Sequence, residues 1–365
     1  MCLTYEGEKN MNFHGGNIYQ FDKEILDYSS NINPLGVPQS FKRMLYENIN
    51  AFTRYPDIDY KELREIIAKY IGVHAKEHVV VGNGAVEIIY KAVVSLDIKE
   101  VIIASPTFSE YRSAVANKGI PVNEINVYDE ITGELLVEKL LDHIKPNSLL
   151  IICNPNNPTG SITDIKTLCT IAKELDKVNS YLLLDEAFIE FTSNYPNSSM
   201  VSKLKDNQNV FVVRAATKFF GMPGIRLGYG VTFNKELMTK IKHRLEPWNV
   251  NTAAVIAGLT IFNDKEYINK SREWIRSEKE FVYNELKFIE GLYVYPSDVN
   301  FFLIKITKED MDAEKLKELM IEHGVLIRTP DGFTHLTKKH VRVAVKDRES
   351  NVKMIKALKR CIRIK

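Results

Sequence analysis

Ser148-Leu-Leu-Ile-Ile-Cys153 runs directly into Asn154-Pro-Asn156-Asn157-Pro158-Thr159-Gly160, a helical spacing of apolar positions follows over 164–176, and Tyr181-Leu-Leu-Leu-Asp185 closes the stretch. The two apolar runs are strand-length and carry no polar alternation, which is how a strand covered on both faces reads. A buried strand, a helix and a second buried strand make a parallel pair joined by a crossover. The same alternation extends outward from about residue 60 to 235. His78-Val-Val-Val81, Glu100–Ala104, Val210–Val213 and Leu227–Val231 read as further strands, and 85–94 and 108–118 as further helices. The pattern predicts an α/β fold, a mainly parallel sheet with helices on both faces.

After Pro247 the character changes. A charge-laced helical stretch runs from about Asn251 to Glu290, and strands over 300–306 and 341–345 flank a helix over 313–323. The expected division is a large domain over 51–247 and a smaller α+β domain over 248–365, with residues 1–50 as an arm and part of the smaller one. A length of 365 residues suits two such units. Lys+Arg 49 against Asp+Glu 47 leaves +2, too even a balance for nucleic acid or an anionic membrane as the main partner. Cys2, Cys153, Cys169 and Cys361 lack CxxC spacing, which argues against a disulfide framework and against a metal site. Glu6, Glu8 and Lys9 stand where a signal peptide would be apolar, and Met11 is an alternative start. The expectation is a reduced, soluble, cytoplasmic protein.

In doubly wound sheets ligands bind outside the carboxyl ends of the strands, so the residues following each strand are the informative ones. Strand 78–81 is followed by Gly82-Asn-Gly84-Ala85-Val86-Glu87 and a helix, a turn able to approach an anion. It lacks the third glycine of a dinucleotide fingerprint, and no GxxxxGK[ST] occurs. An Asn amide between prolines ends one strand, and a carboxylate, Asp185, ends the next. Lys218 lies between a strand and the loop Gly221-Met-Pro-Gly224-Ile225-Arg226-Leu227-Gly228. Burial there could lower the amine's pKa, as a Schiff-base lysine requires.

Taken in order, Asn156-Asn157-Pro-Thr-Gly160, Asp185-Glu-Ala-Phe188, Thr217-Lys218 and Gly224-Ile-Arg226-Leu-Gly228 are far more specific than any one alone. Here the chain resembles the fold-type I, pyridoxal-phosphate-dependent aminotransferase superfamily over essentially its whole length. The resemblance implies pyridoxal 5′-phosphate as cofactor, with a large domain built on a mainly parallel seven-stranded sheet and a smaller α+β domain. It implies Lys218 as the lysine that carries the cofactor and moves protons at the substrate Cα. Asp185 would pair with the ring nitrogen and Asn157 with the ring oxygen. Arg226, Thr217 and the backbone of Gly84, Ala85 and Val86 would hold the phosphate, with Phe108 stacked on the ring. Tyr55, in Arg54-Tyr55-Pro56-Asp57, would reach the neighbouring subunit's phosphate, which implies a homodimer with shared sites. Arg342, in Val341-Arg342-Val343, would grip the substrate carboxylate. Two positions depart from the family pattern: Ala215 replaces a Ser or Thr that often meets the phosphate, and Phe188 replaces a frequent Tyr.

Two branches fit: L-threonine-O-3-phosphate decarboxylases of cobalamin synthesis and histidinol-phosphate aminotransferases of histidine synthesis. His14-Gly15-Gly16-Asn17, Ser30-Asn31-Ile32-Asn33-Pro34, Gly82-Asn-Gly84, Phe188 and Val341–Val345 look more like the decarboxylases. Both act on small phosphorylated amino compounds, so a cationic substrate pocket is expected, with His14, Asn33, Arg328 and Arg342 as its candidates. A non-catalytic cofactor-binding scaffold is disfavoured because the Lys, Asp, Asn and Arg set is complete. A dinucleotide oxidoreductase is disfavoured by the glycine pattern.

Overall fold

The computed structural model describes residues 14–363, so the readings placed on Cys2, Glu6, Glu8, Lys9 and Met11 lie outside the described residues. Its strands are β1 (Leu26–Asp27), β2 (Val79–Asn83), β3 (Glu100–Ser105), β4 (Val122–Asn126), β5 (Ser148–Cys153) and β6 (Tyr181–Asp185), then β7 (Val210–Ala215), β8 (Leu227–Val231), β9 (Leu292–Val294), β10 (Phe301–Ile306), β11 (Val325–Leu326) and β12 (His340–Ala344). Seven form one sheet in the order β2-β8-β7-β6-β5-β3-β4. Strand β8 runs antiparallel to both neighbours, and the other pairs are parallel. The expectation of a mainly parallel seven-stranded sheet is borne out.

Continuous apolar strands bury both faces, and the core divides accordingly. Val79, Val81, Leu150, Ile152, Leu182, Leu184, Val210 and Val212 pack on one face. Val80, Leu149, Ile151, Leu183, Phe211 and Val213 pack on the other. Each such side chain removed from water contributes about 1.5–3 kcal/mol, which makes this sheet the rigid base of the molecule. Register places Cys153 beside Asp185 and Asp185 beside Val213, so the carboxyl ends of β5, β6 and β7 finish at one level.

Edge strand β4 escaped the sequence reading because only Ile125 of its five residues is buried. The helix expected over 108–118 is shorter, Glu110–Ala116, which leaves Phe108 ahead of it. The stretch 251–290 is two helices, Thr252–Ile261 and Lys265–Leu286, and Asp264 caps the second through the Tyr267 amide at 2.9 Å.

The remaining strands form an antiparallel sheet β12-β10-β9 and a parallel pair β1-β11. That pair ties the N-terminal segment to the C-terminal part of the chain, and Tyr28 reinforces it. Its carbonyl accepts from the Ala344 amide at 2.9 Å, and its hydroxyl donates to Asn351 Oδ1 at 3.0 Å. Among the described residues no helix is long and apolar enough to cross a membrane, and no group of three His, Cys, Asp or Glu is placed to hold a metal ion.

Candidate active site

A cavity of about 460 Å³ opens where β5, β6 and β7 end, closed on its other side by residues of the N-terminal segment and of the chain around β12. Asp185 lies in its wall as the last residue of β6. Its Oδ2 accepts from the Tyr111 hydroxyl at 2.7 Å and its Oδ1 from the Ala187 amide at 2.9 Å. Burial pushes this carboxyl up to about 6, and those two bonds pull against the rise.

Lys218 follows β7 in the short helix Ala216–Phe219. Burial lowers its ammonium to about 8, helped by the charges of Arg342 and then Arg226 and opposed by Asp185. Behind the same strand ends, Arg214 of β7 is fully buried and donates through Nε and Nη2 to Glu186 Oε2 at 3.0 and 2.8 Å. That ion pair joins the residue after Asp185 to the strand leading into Lys218.

At one end of the cavity the helix Ala85–Ser95 starts without a side-chain cap, so the amides of Ala85 and Val86 have no carbonyl partner in their own helix. Arg226 faces this turn so closely that a Cβ added to Gly84 would sit 2.3 Å from Arg226 Nη2. A Cβ on Gly228 would strike the Ala85 nitrogen at 2.2 Å, so the glycine of Gly224-Ile-Arg-Leu-Gly228 lets β8 carry the arginine there. Arg226 itself holds a left-handed backbone, φ +58°, and makes no ion pair among the described residues. An uncompensated guanidinium against uncapped helix amides, with Thr217 in the same wall, fits a phosphate. The Gly84 amide is a correction to the expected cradle. It donates to the Gly82 carbonyl at 2.8 Å, because the tight turn uses it internally.

Phe108 and Phe188 line the cavity, Phe108 edge-on to Tyr111 and Phe188 edge-on to Phe301. Across from them Arg342 donates to Asn157 Oδ1 and, at 2.6 Å, to the Ser29 carbonyl, while its Nε is buried without a partner. The backbones of Arg342 and Arg328 bond reciprocally at 2.8 and 3.1 Å, which sets the two guanidinium groups side by side near the Phe333 ring. Burial lowers Arg328 to about 10; burial and then Arg328 lower Arg342 to about 9. Arginines stay charged in proteins, so the cavity holds a concentration of positive charge suited to an anion.

His14 stands at the mouth, its ring 5.8 Å from that of Phe108 and its Nε2 3.0 Å from Glu110 Oε1. The Gly16 amide donates to Ser29 Oγ at 2.8 Å and pins this segment to the cavity wall. Asn33 is a second correction. Its Nδ2 is spent on the Phe219 carbonyl and Ser271 Oγ, its Oδ1 accepts from the Leu35 amide, and it does not line the cavity. An Asn before Pro-Leu-Gly is a turn former, and that signal was available in the sequence. Asn31, two residues earlier, lines the cavity instead, with a buried Oδ1 that has no partner. Tyr55 lies outside this cavity, exposed and stacked on Trp248 at 4.4 Å. The sequence reading missed Tyr111, Glu110, Ser29 and Phe333. Tyr111 and Phe333 read as ordinary core aromatics, and nothing in their spacing marks them.

Residues 23–358 match the family model for aminotransferase class I and II. The chain belongs to that family. A protein of Caldanaerobacter subterraneus subsp. tengcongensis, provisionally named a threonine-phosphate decarboxylase, is 41% identical over 97% of this chain and 95% of its own. The threonine-phosphate decarboxylase of Salmonella typhimurium is 33% identical over 95% of each chain. The crystal structure of the histidinol-phosphate aminotransferase from Clostridium acetobutylicum is 36% identical and superposes with a TM-score of 0.87, over 93% of this chain and 99% of that one. The chain is a pyridoxal-phosphate enzyme of fold type I.

Proposed function

We propose that the protein decarboxylates L-threonine O-3-phosphate, or a near analogue, with pyridoxal 5′-phosphate in the cavity described above. The observation that carries this reading is the pair of guanidinium groups in one cavity, Arg342 beside Asn157 and Arg328 next to it, with His14 at the mouth. Phosphothreonine bears two anionic groups, a carboxylate and a phosphate, which these cations can hold at once. Identity to two decarboxylase-named relatives along nearly the whole chain supports the same choice.

Arg226, the Ala85 and Val86 amides and Thr217 would hold the cofactor phosphate, Asp185 the ring nitrogen, Asn157 the ring oxygen, and Lys218 the carbonyl carbon. When bound, the cofactor serves as an electron sink for whichever Cα bond stands perpendicular to its ring. The protein's part is to choose that bond. Arg342 grips the carboxylate through a planar fork, Arg328 and His14 hold the phosphate, and together they fix the rotation about the bond from nitrogen to Cα. Lys218, lowered to about 8, is able to give a proton back to Cα near neutral pH.

Amino transfer from histidinol phosphate is the second reading, favoured by the 36% identity and 0.87 TM-score to the Clostridium enzyme. Purified protein incubated with phosphothreonine should release CO2. Release of none, together with 2-oxoglutarate-dependent amino transfer from histidinol phosphate, would replace the first reading by the second.

The assembly we propose is a homodimer that exchanges Tyr55. Tyr46, Ile49, Phe52, Tyr55, Ile58 and Trp248 are large apolar side chains left exposed over one short stretch and its stacking partner, which is the composition of a covered surface. Light scattering should give twice the chain mass of 41.9 kDa. The proposed domain division is the one expected from sequence, with residues 51–247 carrying the cofactor. A reducing, cytoplasmic setting is supported by Cys153, Cys169 and Cys361, all free thiols.

A further inference from the structure

Asp185 can serve a cationic ring nitrogen only if it is ionised and if its plane is fixed. A carboxylate at the end of a strand, surrounded by apolar side chains, has neither property by default. Two donors supply them here. The Ala187 amide, from the chain immediately following, meets Oδ1 at 2.9 Å, and the Tyr111 hydroxyl, from the helix Glu110–Ala116, meets Oδ2 at 2.7 Å. The first comes with the local turn of the backbone. The second comes from a separate element, 74 residues away in sequence, and has to be built.

Tyr111 is fully buried in the core, and its ring meets Phe108 edge-on at 5.8 Å, so packing holds the ring that carries the hydroxyl. Burial and then the Asp185 charge push the phenol well above its usual range, which keeps it a proton donor at any working pH. The other titratable groups around Asp185 do not take this place. The Cys153 thiol of β5 gives its proton to the Pro155 carbonyl at 3.2 Å. Glu186 is occupied by Arg214, Ser199 and the Met200 amide. Lys218 acts on Asp185 by charge, with no hydrogen bond between them.

We infer that Tyr111 is a positioning residue for Asp185, its hydroxyl holding the carboxylate ionised and oriented toward the cofactor's ring nitrogen. The inference rests on the assignment of pyridoxal phosphate to this cavity. Tyr111 touches neither substrate nor reacting atoms and works through Asp185. It also gives the Pro106-Thr-Phe108-Ser-Glu-Tyr111 segment two tasks, with Phe108 on the ring face and Tyr111 on the group that charges the ring.

The test is the dissociation constant for pyridoxal phosphate, measured by equilibrium dialysis from pH 5.5 to 9 on wild type, Tyr111→Phe and Asp185→Asn. Wild-type affinity should fall as Asp185 takes up a proton. Removing a bond that favours the ionised carboxylate raises the pH at which it protonates, so in Tyr111→Phe the fall should begin at higher pH. The variant should bind roughly tenfold more weakly than wild type near pH 6 and close to normally near pH 9. Asp185→Asn should show no such acid limb. Incorporating 3-fluorotyrosine at position 111 keeps the fold and strengthens the donor, so it should move the limb to lower pH. This holds the test open if Tyr111→Phe fails to fold. An equal loss of affinity at every pH would mark a packing role and overturn the inference, as would a limb that neither replacement moves. A wild type that takes no pyridoxal phosphate at any pH would overturn the cofactor assignment and this role with it, a result distinct from the other two.

Discussion

Arg342 donates to the side-chain carbonyl of Asn157, and this contact determines which end of the amide is left for a ligand. With Oδ1 turned to the guanidinium, Nδ2 is the end available to an acceptor in the cavity. The residue proposed to grip the substrate carboxylate is thereby in contact with the residue proposed to meet the ring oxygen. On that proposal, substrate binding and cofactor tuning share one arginine.

Arg342→Lys tests that sharing, because lysine keeps the charge and loses the planar fork. Steady-state kinetics should show kcat/KM for phosphothreonine reduced by roughly 10–150-fold, the worth of one charge-assisted contact. A change of less than about threefold would remove Arg342 from the substrate's carboxylate.

Arg226→Ala removes the cation that faces the Gly84 turn, where we propose the cofactor phosphate is held. The purified variant should lose pyridoxal phosphate on dialysis, with absorbance in the cofactor's visible band falling accordingly. Full occupancy after dialysis would mean that the anion site lies elsewhere.

Asp185→Asn puts a neutral amide where the proposed contact with the ring nitrogen calls for a negative charge. Turnover should be abolished while the visible cofactor band persists. Each pKa unit of stabilisation lost at the nitrogen corresponds to about 1.4 kcal/mol, so near-normal turnover would exclude the charge-pairing role.

His14→Ala addresses substrate choice at the mouth. The Michaelis constant for phosphothreonine should rise by roughly 1.5–3 kcal/mol in equivalent free energy, and that for unphosphorylated threonine should change little. Equal effects on both substrates would assign His14 to closing the cavity through Glu110 rather than to the phosphate.

Lys218 affects the stability of the cofactor-free protein, and the sign follows from its lowered pKa. Between about pH 8 and 10.5 the unfolded chain holds a proton on this amine that the fold does not, so stability rises with pH across that window. Below it the full cost of burying the ammonium is present. Lys218→Met should therefore stabilise the cofactor-free protein by roughly 3 kcal/mol at pH 7, and the gain should vanish above about pH 10.5. Urea unfolding at the two pH values measures it, and a gain that does not depend on pH would point to packing alone.

Asn157, Asp185 and Lys218 were legible in the sequence because each follows an uninterrupted apolar strand, and the sheet order sets β5, β6 and β7 side by side. Arg226 was legible through the glycines around it, which the approach of β8 to Ala85 requires. Tyr111 was not, because a tyrosine facing the core and one aimed at a carboxylate have the same helical spacing. The exchange of Asn31 for Asn33 has a different cause. Asn33 stands before Pro-Leu-Gly and its Oδ1 accepts from the Leu35 amide, a local turn signal that the resemblance overrode, and contacts with Phe219 and Ser271 then hold its Nδ2 away from the cavity. Strand β4 was hidden because an edge strand with four of its five residues outside the core carries little apolar signal.

The left-handed backbone of Arg226 sets stability against use at a single position. A non-glycine residue there carries on the order of 1–2 kcal/mol of strain that glycine would relieve. A library of variants ranked by melting temperature would therefore be drawn toward Arg226→Gly, and the same change would delete the cation that faces the phosphate turn. Engineering this chain for heat resistance therefore needs a screen that also scores cofactor retention, because this backbone repair removes the residue proposed to hold the cofactor's phosphate.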